Sequence, residues 1–251
     1  MTSVIDVRRA GERFHTRTNW LDSKHSFSFS RHWDPANTHF GLLLVSNDDT
    51  VAPGTGFDTH PHRDMEIITW VLDGALVHQD SEGHHGIVYP GLAQRMSAGT
   101  GILHSEKNDS WTLTGDPAHR NPVHFIQMWT IPDTAGTVPG YEQLDINDQL
   151  SEGGWTTLAS GMAKHAQQRA IGVRQKHAAL HVTRLRAGET LETVTAPFAH
   201  LHVARGELAL EGAGLLSQGD TARITAAEGQ RITGGPEGAE VLMWEMTAAL
   251  G

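Results

Sequence analysis

The chain has 251 residues, 38% of them apolar, with 27 glycines and a formal net charge of −10. That composition can bury a sizeable core and excludes a disordered chain, while the acidic balance argues against direct binding of nucleic acid or an anionic membrane surface. The absence of cysteine excludes disulfides, thiolate ligands and a thiol nucleophile.

The N-terminal stretch MTSVIDVRRAGERFH carries charges where a signal peptide needs an apolar run. No later stretch reaches the roughly 18 apolar residues of a membrane span. A cytoplasmic protein that does not cross a membrane is therefore expected. Short apolar runs then recur along the first half, at residues 40–46 (FGLLLVS), 66–72 (EIITWVL), 86–89 (GIVY) and 123–131 (VHFIQMWTI), separated by Gly, Pro, Asn and Asp. This is the pattern of an all-β sandwich or barrel. Asn108-Asp109-Ser110 has the form of a glycosylation sequon and is read as coincidence. Residues 131–140 (IPDTAGTVPG), rich in proline and glycine, read as a linker. Residues 162–177 form a helix or loop candidate that Gly172 weakens, and residues 181–186 alternate as a half-buried strand does. Trp129 and Trp244, in the contexts QMW and LMW, are expected in the core.

The second half resembles a faint copy of the first. Residues 89–96 (YPGLAQRM) match 217–224 (SQGDTARI), and 71–76 (VLDGAL) match 204–208 (ARGEL), at nearly equal offsets. Two tandem β domains follow, over 1–135 and 136–251.

Two short motifs carry chemistry, His60-Pro61-His62 and His104-Ser105-Glu106. A period of two puts both imidazoles of the first on one face of a strand, and the imidazole and carboxylate of the second on one face of another. If the two strands face each other across a barrel, the four groups converge. Three imidazoles and a carboxylate suit a divalent transition metal. Glu66 competes with Glu106 for the fourth position, because it shares the parity of His60 and His62; spacing alone does not choose. Isolated histidines such as His78, His84, His85, His119 and His124 read as structural or surface residues. His200-x-His202 reads as structural too: the positions matching the first-half ligands fall near Glu192 and Val194, so the second domain is expected to hold no metal.

The two motifs resemble those of the cupin superfamily. The stretches WLDSKHSFSF, HFGLLLVSNDDTVAPGTGF, HPHRDMEIITWVLDGALVHQDSEGH and MSAGTGILHSEKN resemble, more closely, pirin and the bacterial pirin-like quercetinases, across most of the first half. The resemblance implies a bicupin, two jelly-roll-like β-barrel domains with few short helices. It implies metal ligation by His60, His62, His104 and Glu106, with Glu66 behind them. It also implies one metal ion, Fe(II) before Zn, Mn, Ni, Cu or Co. The activity implied is a 2,3-dioxygenase that opens a flavonol such as quercetin and releases carbon monoxide, with Glu106 also accepting the substrate hydroxyl proton. A flavonol-like aromatic substrate and a monomer are the further expectations. The alternative the family offers is a non-enzymatic, redox-responsive iron protein that binds a protein partner. Departures from the pirin pattern are Asp64-Met65 in place of Gly-Phe and Gly91-Leu92 in place of Gly-Asp; Gly99 stands where the general cupin motif has proline.

Overall fold

The structure, a computed structural model, describes residues 2–108 and 121–250. His119 and the last two sequon positions lie outside the described residues. The first half runs through β1 (Val4–Arg8), β2 (Phe14–Arg17), β3 (Leu21–His25), β4 (Leu43–Val51), β5 (Gly56–His62), β6 (Glu66–Asp73), β7 (Leu76–Asp80), β8 (His85–Val88), β9 (Leu92–Ser97), β10 (Ile102–Lys107), β11 (Val123–Thr130) and β12 (Gly140–Asp145). A short helix α1 (Asn147–Glu152) leads to β13 (Thr156–Ser160), β14 (Ile171–Gly172), β15 (Ala178–Leu185), β16 (Thr190–Glu192), β17 (Thr195–Leu210), β18 (Gly214–Ser217), β19 (Thr221–Glu228) and β20 (Arg231–Met246).

Three sheets form. A seven-stranded sheet has the order β12-β9-β6-β11-β4-β3-β2, and a four-stranded sheet β5-β10-β7-β8 completes the first domain. The second domain is built on β1-β19-β17-β20-β15-β13-β14, with β16 on β20 and β18 on β17. The fold is all-β, two cupin domains in tandem, as expected. Strands exchange at the ends: β1 pairs with β19 in the second domain, whereas β12, beyond residue 135, pairs with β9 in the first.

The run EIITWVL is apolar without alternation because β6 is covered on both faces. Ile67 and Val71 point into the first barrel, while Ile68, Trp70 and Leu72 join Leu180, Val182, Leu242, Trp244 and Met246 in the cluster between domains. Burial of both faces removes the polar positions that alternation requires. The Trp70 indole also donates to Glu240 Oε1 across the seam, at 2.7 Å. Of the two tryptophans, Trp244 is 1% exposed within that cluster. Trp129 is only half-buried and lines a cavity in the first barrel, because its place on β11 faces the open end of the sandwich and not the closed core. The helix candidate resolves into a single 3-10 turn, Ala163–His165, followed by the two-residue β14; backbone pairing of β14 with β13 outcompetes the weak local helix preference around Gly172.

Candidate metal centre and its cavity

His60 and His62 lie on β5, and His104 and Glu106 on β10. These strands do not face each other across a barrel. They are hydrogen-bonded antiparallel neighbours, with His104 opposite His60 and Ile102 opposite His62. Directly opposite residues on one face stand about 5 Å apart, so adjacency gathers the imidazoles as well as opposition would. Ring centroids are 4.4 Å apart for His60–His104, 4.8 Å for His60–His62 and 4.9 Å for His62–His104.

Two residues of β10 span three of β5 between His104–His60 and Glu106–Phe57. The extra residue lies on β5, and such a bulge bends and twists the strand that carries it. Gly56 sits at its start with φ +153°, and a Cβ there would lie 2.2 Å from the Glu106 carbonyl oxygen. Only glycine fits so close an approach.

The electrostatics favour neutral imidazoles. Burial, then the neighbouring His60 and His78 rings, push His104 down to about 3. Burial, then His104 and His60, push His62 down to about 4. Neutral rings can donate lone pairs to a cation. His104 is 2% exposed, yet both its ring nitrogens lack a hydrogen-bond partner. Such an orphaned buried group is costly unless something else engages it. His60 Nδ1 is held at 2.7 Å by the Asp58 carbonyl, which fixes the ring and leaves Nε2 for the cluster. The ligand atoms of His60, His62 and His104 all lie within 4.8 Å of one another.

Glu106, 3% exposed, is held from the opposite sheet. Gln127 Nε2 on β11 donates to Oε1 at 2.9 Å and Oε2 at 2.8 Å, and the Trp129 indole donates to Gln127 Oε1 at 3.0 Å. Nothing in the spacing of VHFIQMWTI signals this relay, since it depends on which residues oppose across the sandwich. His78, read from sequence as an isolated histidine, is fully buried and groups with His104 and Glu106. Its Nε2 pairs with Asp80 at 3.2 Å, and its ring stacks on Tyr141 at 4.6 Å.

Glu66 is not at the cluster. The strand breaks after His62, and Asp64 takes a left-handed φ of 47°. This turns Glu66 out of phase, towards the second domain, where it accepts from the Arg174 amide at 3.2 Å and lies 4.0 Å from Arg95. The parity that made Glu66 a candidate assumed an unbroken strand. Asp64 replaces the family's glycine at a left-handed position that aspartate tolerates, and its carboxylate accepts from the Gly136 amide in the linker at 2.6 Å.

A cavity of about 570 Å³ opens beside the cluster, lined by His60, His62, Glu106, Gln127 and Trp129 and by Trp20, Phe29 and Phe57. His62 meets the Trp129 ring edge-on at 4.8 Å. Aromatic walls of this kind suit a flat ligand. In the second domain, Glu192 and Val194 bring no ligand set together, and His200 and His202 are buried against the first domain. A separate group, His165, His181 and Glu245, is closed by Lys164, which pairs with Glu245.

This fold and cluster define a bicupin, and family models place it further: Pirin matches residues 6–130, and the quercetinase C-terminal cupin domain matches residues 157–246. The chain belongs to the pirin family. A Mycobacterium tuberculosis H37Rv protein, provisionally named quercetin 2,3-dioxygenase, is 55% identical over 251 residues, covering 100% of this chain and 98% of its own. The quercetin 2,3-dioxygenase of Escherichia coli K12 is 47% identical over 140 residues, 56% of this chain and 57% of that one. The crystal structure of the bacterial pirin YhhW of Escherichia coli in complex with nickel(II) superposes with a TM-score of 0.85 at 33% identity, covering 98% of this chain and 100% of that one.

Proposed function

We propose that the protein is a metal-dependent dioxygenase that opens the ring of a flavonol such as quercetin and releases carbon monoxide. The observation that carries this reading is the buried His104 ring, with both nitrogens unpartnered, beside His60, His62 and Glu106. Those four residues would hold one divalent transition metal, Fe(II) in our reading. The nickel complex of YhhW supports a divalent ion and leaves its identity to supply and geometry. When bound, the metal supplies Lewis acidity for an enolic hydroxyl and a path for electron density to dioxygen.

The chain's own groups do the rest. Trp129, Phe57 and Trp20 sandwich the aromatic skeleton and exclude water. Gln127 holds the Glu106 carboxylate towards the cavity, where it accepts the substrate's hydroxyl proton. The names of the relatives support the reaction class.

The test is aerobic loss of quercetin absorbance by iron(II)-reconstituted protein, with carbon monoxide measured in the headspace. Turnover is expected, and His104→Ala is expected to lose both bound metal and turnover. No turnover above free iron, with metal bound, would overturn the reading; so would full activity in His104→Ala.

A further inference from the structure

The cavity has a second polar region that the metal reading does not use. On the seven-stranded sheet, Gln127 of β11 stands opposite Asn47 of β4, which stands opposite His25 of β3. In the next inward-facing row, Phe125 stands opposite Asp49, which stands opposite Ser23. Both rows start at β11, whose Gln127 bonds Glu106, and run away from it across β4 and β3. With neighbouring strands about 4.8 Å apart, the β3 end lies roughly 10 Å beyond Gln127, about the reach of two linked six-membered rings. Ser23, His25, Asn47 and Asp49 all line the cavity.

The two adjacent aspartates of β4 face opposite ways and meet opposite treatment. Asp48 points to the domain seam, where Arg13 lies at 2.7 Å and His124 at 2.7 Å. Asp49 points into the cavity and is 3% exposed. Its hydrogen-bond partner is the Ser23 hydroxyl, and no ion pair reaches it among the described residues. Burial pushes its carboxyl up to about 7, with the Asp48 and Glu106 charges adding and the Ser23 bond opposing. Buried acids without a counter-ion are expensive and cluster where a ligand uses them. The neighbours are pre-set: His25 Nδ1 bonds Asn47 Oδ1 at 2.9 Å, and His25 Nε2 bonds Thr16 Oγ1 at 2.9 Å. Phe29 stacks on His25 at 5.0 Å and meets Trp129 edge-on at 5.6 Å, so an aromatic wall joins this region to the metal cluster.

We propose that Asp49, set by Ser23, His25 and Asn47, is a hydroxyl-binding subsite that anchors the ring of a polyhydroxylated aromatic substrate remote from the metal cluster. As a neutral acid Asp49 donates to a phenolic oxygen, and as a carboxylate it accepts from the phenol; either form rejects an unsubstituted ring by leaving a buried polar group unpaired. The inference rests on the aromatic-substrate reading above.

The test uses quercetin and galangin, which differ only in the two hydroxyls of the pendant ring. Dissociation constants are read from tryptophan quenching on chelator-treated protein, and kcat and KM on iron(II)-loaded protein. Wild type is expected to bind quercetin about 10- to 100-fold more tightly than galangin. Asp49→Leu is expected to bring that ratio near one by weakening quercetin alone, with the change in KM and not in kcat. Ser23→Ala, which removes only one hydroxyl, is expected to lower the ratio about threefold or more. A wild-type ratio near one overturns the subsite, as does an unchanged ratio in folded Asp49→Leu. If Asp49→Leu does not fold, an unchanged ratio in both Ser23→Ala and Asp49→Ala overturns it. Absence of turnover with either flavonol counts against the dioxygenase reading only, because the metal-free binding ratio judges the subsite separately.

Discussion

Replacing Gln127 by leucine is expected to destabilise the metal-stripped protein by about 3 kcal/mol. Its amide nitrogen lies 2.9 and 2.8 Å from the two oxygens of Glu106, and a hydrogen bond to a charged group is worth about 1.5–3 kcal/mol. The two bonds share one nitrogen, so they do not simply add. Glu106 is only 3% exposed and cannot recruit bulk water in compensation; the Trp129 indole, half-buried, can. Glu106→Leu alone strands the amide instead, and the double variant removes both polar partners together. A double-mutant cycle by urea unfolding of the four chelator-treated proteins is then expected to return a coupling of about 2–3 kcal/mol. A coupling below about 0.5 kcal/mol would refute the view that the opposite sheet holds this carboxylate in place.

Gly56→Ala would drive a Cβ to 2.2 Å from the Glu106 carbonyl; a loss of about 1–3 kcal/mol and weaker metal binding are expected, read by melting and metal stoichiometry. Trp70→Phe deletes the indole donor to Glu240 Oε1 and leaves Arg184, at 2.8 Å from Oε2, as its partner; urea unfolding should report a loss of about 3 kcal/mol. His202, with both ring nitrogens unpartnered, is pushed down to about 3, chiefly by burial and then by Arg13. A histidine whose folded value is depressed binds fewer protons folded than unfolded, so stability is complete above pH ~6.5 and falls as pH drops towards 3. At pH 5 the loss from this residue is about 2 kcal/mol, and His202→Leu should flatten the acid limb of the stability curve by that amount; an unchanged acid limb would count against it.

The first domain illustrates what a spacing rule can and cannot reach. Short alternating runs, turn residues and the HPH and HSE motifs are local, and they suffice for an all-β tandem and for singling out His60, His62 and His104, because a strand's period of two is a property of a few consecutive residues; the choice of Glu106 over Glu66 came from the family resemblance. The geometry that gathers His60, His62 and His104, with Glu106 beside His104, was not local. Whether β5 and β10 oppose or adjoin depends on backbone pairing between segments some forty residues apart, and adjacency with a bulge is what the fold uses. Glu66 was lost as a candidate for the same kind of reason: one left-handed residue, Asp64, resets the parity that the sequence pattern assumes. Gln127, Trp129, His78 and Asp49 carry no spacing signal, since each acquires its role from a partner on another strand or the opposite sheet. Residue types and their alternation were written in the chain; which faces meet, which acid finds a counter-ion and which is left facing a cavity were decided only when the sheets packed, because burial and hydrogen bonding are properties of neighbours in space.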